Sequence, residues 1–456
     1  MEKNFFSDNL QNPHLEPEYT GRHIVVFDSE SKDKASEILR SKIGVKCVNS
    51  KEFDHKSSLE QVDEEAIFLD KLGIAIIKAD QEQVSKIQTL ADQESEPVVS
   101  VEPETVVYAL NGNGYDKDEL ILNYLQGYKD GIDEFYDRMT NFIKRKQEII
   151  AEAEQVLPVT TNYTWGMQLT NVINSRYSGR GVRLVVLDTG FDLTHPDFRS
   201  RRIITQSFIS GESIQDGNGH GTHCIGTSCG PLRPSNASLP RYGASYNAEI
   251  YVGKVLSNQG SGSDGGILAG INWAIANRCQ VVSMSLGSQS PPSMAYEYAG
   301  RRALNQGSLI VAAAGNESCR NPRLDPNSYI CRNNPGLISP IGSPANVLSI
   351  MAVGGVDRTL KIANFSNRGL YPQGGQIDIA GPGVDVYSSF PVSRGSYARL
   401  SGTSMATPHV AGIAALWCEA TGQTGGALWS LLTRNARRLN LSSADVGAGL
   451  VQAPIR

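Results

Sequence analysis

Leu184-Val185-Val186-Leu187-Asp188-Thr189-Gly190 carries four consecutive apolar residues straight into a carboxylate, a hydroxyl and a glycine. A strand that is apolar on both faces belongs in a parallel sheet covered on both sides. The same shape recurs at 250–252, 281–286, 309–314 and 347–353, each run ending in a turn with Gly, Ser or Asp. Between these runs, 266–276, 296–305 and 407–420 read as helices. The alternation predicts an α/β fold, a parallel sheet flanked by helices on both faces. In such sheets the reactive groups collect just past the carboxyl ends of the strands, and Asp188 stands at one of those ends.

The chain has 456 residues and a net charge of −5, with 40 % hydrophobic residues. That length suffices for two or three domains. The composition excludes a disulfide mini-scaffold, a collagen-like polymer and a wholly disordered chain. No apolar run reaches the ~18–20 residues that a membrane helix requires, so no membrane partner is expected. Met1-Glu2-Lys3-Asn4-Phe5-Phe6-Ser7-Asp8 has no apolar signal-peptide core, which favours the cytoplasm over secretion and free thiols over disulfides.

The charge is unevenly spread. Residues 1–160 hold 32 acidic against 18 basic side chains, a net of −14. Residues 161–456 hold 15 acidic against 24 basic, a net of +9, and 22 of those 24 are Arg. Segments so different in surface chemistry are expected to fold separately and to attract each other. In the front part, 23–27, 73–77, 97–101 and 105–108 read as strands, with helices at 34–39 and 82–90. This predicts a small α+β unit within 1–110. Beyond the Asn111-Gly112-Asn113-Gly114 turn signal, apolar residues recur at helical spacing, as at Leu120, Ile121, Tyr124, Leu125 and Tyr128. Residues 111–157 are therefore expected to form a helical connector, with the larger domain over 158–456.

Three strings in the larger domain bear chemistry. The first ends in Asp188. The second, Asp216-Gly217-Asn218-Gly219-His220-Gly221-Thr222-His223, sets imidazoles at a helix start. The third, Gly402-Thr403-Ser404-Met405-Ala406-Thr407-Pro408-His409, sets a serine at a helix N-terminus, with Pro408 expected in the first turn. A hydroxyl nucleophile needs a base, and the base needs an orienting group. The order Asp, His, Ser over these strings is one known solution.

With all three present in that order, residues ~160–456 resemble the subtilisin-like serine proteases. The resemblance implies that Asp188 orients the imidazole, that His220 is general base and then acid, and that Ser404 attacks the scissile carbonyl. It gives Asn316, in Val311-Ala312-Ala313-Ala314-Gly315-Asn316, and the Ser404 N–H the task of holding the oxyanion. Gly260-Ser261-Gly262 and Ser285-Leu286-Gly287 match the backbone edges that clasp an extended polypeptide substrate in this family. Asp197 matches a calcium ligand of some members, a possible structural site; no cofactor is implied for the chemistry itself. Cys224 resembles the thiol beside the catalytic imidazole in the proteinase K branch. His409 matches a structural histidine. Residues 1–110 resemble, in element order, the prodomain that blocks the active site of secreted relatives, so an intramolecular inhibitor is expected. Cys319 and Cys331, twelve apart in a long loop, leave a disulfide open.

Other readings compete at each point. Asp188-Thr189-Gly190 also resembles the aspartic-protease signature, but the chain holds no second copy to supply the other carboxylate. His220 and His223 could bind zinc, yet no His-Glu-x-x-His string or third ligand accompanies them. A catalytically silent scaffold of the same fold is the alternative function; such chains lose a residue of the set, and none is missing. The 22 Arg are scattered without a dense basic run, so no nucleic-acid partner is expected.

Overall fold

The computed structural model describes residues 17–28, 34–50, 66–93, 95–110, 162–326, 328–370 and 375–455. The expected connector at 111–157 lies outside the described residues. The front unit contains β1 (Tyr19–Phe27), a helical turn Ala35–Ile38, β2 (Cys47–Asn49), β3 (Ala66–Leu69), β4 (Ile74–Ile77), helix α1 (Gln81–Ala91) and β5 (Val98–Ala109). β2 and β3 were not legible as strands, and the two runs expected around Pro103 are one strand. Proline removes a ladder donor, but strand β5 bonds to β1 around Pro103 and reaches its second neighbour only from Val106. α1 begins at a reciprocal capping box in which Asp80 accepts from the Gln83 N–H and the Gln83 side chain accepts from the Asp80 N–H.

The larger domain is built on seven parallel strands. They are β6 (Arg183–Asp188), β7 (Ile203–Ser207), β8 (Glu249–Lys254), β10 (Val281–Met284), β12 (Leu309–Ala313), β13 (Met351–Val356) and β14 (Ile379–Pro382), in the spatial order β14-β13-β12-β10-β6-β8-β7. Two short strands, β9 (Ser261–Ser263) and β11 (Leu286–Gly287), lie outside this sheet. The 281–286 run therefore breaks at Ser285, and its last residues leave the sheet.

Successive side chains of a strand point to opposite faces, and the core divides accordingly. Val185 and Leu187 pack on one side with α3 (Asp264–Ala276) and α4 (Met294–Asn305). Leu184 and Val186 pack on the other with α2 (His220–Cys229) and α5 (Thr403–Thr421). The expected parallel sheet with helices on both faces is what the chain forms. The front sheet lays Ile24, Val26, Ile74 and Ile76 into the same cluster as α3 and α4, while Val25, Phe27, Ala75 and Ile77 face its own small core with Leu39 and Ile87.

The cysteines depart from the expectation of free thiols at one place: Cys319 and Cys331 form a disulfide, closing the loop that follows Asn316. Cys47, Cys224, Cys229, Cys279 and Cys418 are not disulfide-bonded. Among the described residues no helix is long and apolar enough to cross a membrane.

Leu184 is fully buried near the start of β6, remote from its functional end. Leu184→Ala removes side-chain contacts that the sheet cannot recover, and should lower stability by about 2–5 kcal/mol. The check is urea unfolding, with a lower midpoint at an unchanged slope.

Candidate active site

Asp188 is the last residue of β6 and is wholly buried. Its Oδ1 accepts from the Thr189 N–H at 2.7 Å and lies 2.8 Å from His220 Nδ1. A carboxylate facing Nδ1 makes that nitrogen the donor and leaves the Nε2 lone pair to act as acceptor. His220 opens α2, and its position is set by Asp216. The Asp216 carboxylate accepts from the Gly219 N–H (2.8 Å), the Thr222 N–H (2.9 Å) and the Thr189 hydroxyl (2.9 Å), so one side chain ties the turn after β6 to the start of α2. Gly221 permits this closeness, since a Cβ there would stand 2.3 Å from the Gly190 carbonyl oxygen. Burial disfavours the charged ring of His220, but the Asp188 carboxylate and the neighbouring Cys224 together outweigh it and hold the imidazole well above its ordinary 6.5.

Ser404 lies in the first turn of α5, which starts at Thr403, four residues before the expected 407. Pro408 is therefore inside the helix rather than in its first turn. A proline cannot donate to the carbonyl four residues back, which here is that of Ser404. That carbonyl accepts instead from the Ser285 hydroxyl at 2.9 Å, with Cys224 Sγ 3.6 Å away. The same sulfur is 3.9 Å from His220 Nδ1, so Cys224 touches both the imidazole and the serine backbone. Burial raises the Cys224 thiol, keeping it protonated. His220 Nε2 is buried without a hydrogen-bond partner. The structure thus joins Asp188 to His220 and brings Ser404 alongside, with the hydroxyl engaged elsewhere.

That engagement is the central feature. Ser404 Oγ donates to the carbonyl oxygen of Leu110, at 2.6 Å, and Asn316 Nδ2 donates to the same oxygen at 2.9 Å. The orientation of the Asn316 amide follows from its other end, where Oδ1 accepts from the N–H and hydroxyl of Thr403 at 2.8 and 2.9 Å. The Ser404 N–H, given the same task by the resemblance, makes no hydrogen bond to the Leu110 oxygen. Gly402 completes the cradle: a Cβ at this position, with φ 157°, would lie 3.0 Å from that oxygen.

Leu110 arrives at the end of β5, which runs antiparallel between β9 and β11. Val106, Val107 and Tyr108 pair with Ser263, Gly262 and Ser261, while Ala109 and Tyr108 pair with Leu286 and Gly287. The Ala109 N–H donates to the Gly260 carbonyl at 2.8 Å and the Leu110 N–H to that of Ser285 at 3.4 Å. All six residues read as backbone edges, Gly260, Ser261, Gly262, Ser285, Leu286 and Gly287, therefore flank the chain's own strand. Sequence reasoning had no means of finding Leu110, because a backbone carbonyl has no residue-type signature.

The other histidines are structural in their surroundings. His223 Nε2 is 2.9 Å from the Val386 carbonyl and burial brings its pKa down to about 3. His409 Nδ1 is 2.8 Å from the Met405 carbonyl, with burial lowering it to about 4. Asp197 does not have the surroundings of a calcium ligand. Its oxygens accept from the Ser235 N–H at 2.6 Å and from the hydroxyls of Tyr242 and Tyr397. Hard cations need several converging oxygen lone pairs, whereas here protons converge on the carboxylate.

Comparison with known proteins agrees with the geometry. The family model described as the subtilase family matches residues 179–450. An alkaline protease of Alkalihalobacillus alcalophilus is 41 % identical over 271 residues, 59 % of this chain and 62 % of the relative. Subtilisin Savinase of Lederbergia lenta is 42 % identical over 256 residues, 55 % of this chain and 82 % of the relative. A thermostable alkaline protease of Halalkalibacterium halodurans is 35 % identical over 331 residues, 72 % of this chain and 82 % of the relative. The chain thus spans under two thirds of the first of these and most of the other two. With its parallel sheet, its Asp-His-Ser order and this match over most of the larger domain, the chain belongs to the subtilase family.

Proposed function

We propose that the chain is a serine endopeptidase held in a self-blocked form, with the end of β5 and Leu110 lying where a polypeptide substrate would. The observation that carries this reading is the Leu110 carbonyl oxygen, set between Ser404 Oγ and Asn316 Nδ2. The relatives named as proteases support the same activity.

The proposed steps use Ser404, His220, Asp188 and Asn316. Rotation of the Ser404 hydroxyl presents its proton to His220 Nε2, the buried acceptor that lacks a partner. Oγ then bonds to the carbonyl carbon, and the proton moves to Nε2 while Asp188 stabilises the imidazolium. Asn316 Nδ2 holds the charge that develops on the oxygen. Collapse breaks the C–N bond, the imidazolium gives its proton to the leaving amine, and water activated by the same ring hydrolyses the acyl-enzyme. The peptide bond that follows this carbonyl in the sequence is Leu110–Asn111.

Docking of the front unit is supported by acidic side chains at two helix N-termini. Glu104 accepts from the Gly265 N–H at 2.9 Å, at the start of α3, and pairs with Arg22. Glu102 accepts from the Met294 and Ala295 N–H groups, both at 3.1 Å, and from the Ser293 hydroxyl, at the start of α4. Helix N-termini favour negative charge, so the acidic front meets the larger domain at these two points.

Three outcomes test the reading. Ser404→Ala should abolish both peptide hydrolysis and labelling by a serine-directed phosphonate; retention of either at wild-type level overturns the assignment. Incubating the purified wild-type chain and sequencing new N-termini by mass spectrometry should reveal Asn111, absent from Ser404→Ala. The pH profile follows from His220: the ring must be neutral to take the serine proton, and its raised pKa extends the protonated form to higher pH. The acid limb of kcat/KM should therefore fall above 6.5. Asp188→Asn should shift that limb downward while lowering kcat on the order of 10⁴-fold, the magnitude familiar from such triads.

A further inference from the structure

Asp264 is a buried carboxylate that the proposed chemistry does not use. It is the first residue of α3, immediately after the β9 edge along which β5 lies. The ladder between these strands starts at the pair Val106 and Ser263. One residue further back, the backbone of the larger domain has turned into a helix and offers no ladder acceptor. The Asp264 side chain takes over that task. Its Oδ2 accepts from the Thr105 N–H at 2.7 Å and from the Thr105 hydroxyl at 2.6 Å, while its Oδ1 accepts from the Tyr296 hydroxyl at 2.9 Å.

Counted back from Leu110, Thr105 is the sixth residue before the bond assigned above. We propose that Asp264 is a substrate-recognition residue for this sixth position, selecting polypeptides with Ser or Thr there over those with Val or Pro. This rests on the reading that β5 lies as a substrate does.

The chemistry of the site restricts its occupant. Both Asp264 oxygens are acceptors, one fixed by Tyr296 and one facing the strand, so an occupant must bring protons. Thr brings two donors, its N–H and its hydroxyl. Val brings only the N–H and leaves part of the carboxylate dry and unpaired, while Pro brings neither. Burying a polar group without its partner is what makes such sites discriminate. Burial pushes the Asp264 carboxyl up to about 6, against the pull of the Thr105 and Tyr296 donors, as expected of an acceptor closed off from water. The inner part of the strand is read differently: Val107, Ala109 and Leu110 are buried through apolar contact, and Val107 shares a cluster with Ile267, Leu286 and Tyr296.

The test uses three anilide substrates on the self-processed wild-type enzyme: acetyl-Thr-Val-Val-Tyr-Ala-Leu, the same peptide starting with Val, and the five-residue peptide without that residue. The Thr peptide should exceed the Val peptide about 10-fold in kcat/KM, the difference lying in KM because the contact is remote from the reacting bond. In Asp264→Ala the Thr-to-Val ratio, measured within the variant, should fall to about one, and Tyr296→Phe should give an intermediate ratio. A wild-type ratio near one overturns the proposal whatever the variants do, as does an unchanged ratio in Asp264→Ala. Absence of hydrolysis of the five-residue peptide by wild-type enzyme would instead overturn the endopeptidase reading beneath it.

Discussion

The hydrogen bond between Asp188 and His220 is the constraint around which the larger domain is arranged. Burying a carboxylate is costly unless donors meet it, and here the Thr189 N–H and the His220 ring both meet Oδ1, while Oδ2 is buried without a partner. That requirement fixes the last residue of β6 against the first residue of α2. Asp216 locks the turn between them, and the two-sided packing of the sheet holds β6 itself in place. The pair then presents one unpartnered nitrogen, and everything else in the site is placed relative to it.

The arrival of Ser404 shows a second kind of constraint, in which a missing donor is put to use. Pro408 interrupts the α5 ladder and leaves the Ser404 carbonyl to Ser285. Ser285 sits between β10 and β11, and its own carbonyl receives the Leu110 N–H. The interruption thus links the nucleophile's backbone to the edge that grips the strand. Because the hydroxyl of Ser404 and the amide of Asn316 converge on one carbonyl oxygen, the serine helix, the strand ending at Ala313 and the front unit meet at a single atom.

How much of this was legible depends on what kind of signal each part emits. Most of the strands of the larger sheet that are buried on both faces were visible as apolar runs, though β14, with Gly381 and Pro382 in its four residues, was not, and the Asp188, His220 and Ser404 strings were visible as motifs. β7, half-buried with Thr205 and Gln206, gave no such run and was missed. The start of α5 was misplaced because Gly402-Thr403-Ser404 reads as a turn and Pro408 as a helix opening. Asp264 was passed over because its partner Thr105 lies 159 residues away, and nothing local announces the pairing. The calcium expectation at Asp197 came from a matching residue alone. Tyr242 and Tyr397, which turn its surroundings into a set of proton donors, are remote in the chain and belong to no motif.

The position of β5 has a consequence for timing. Scission after Leu110 would sever the chain on the far side of every contact that β5 makes with β9, β11 and the two helix starts. The new carboxyl end would remain anchored, so cutting and unmasking become separate events with separate clocks. The interval between them would be governed by how slowly a twelve-residue strand that also caps two helix starts peels away, and a molecule already nicked would stay silent for as long as that detachment takes.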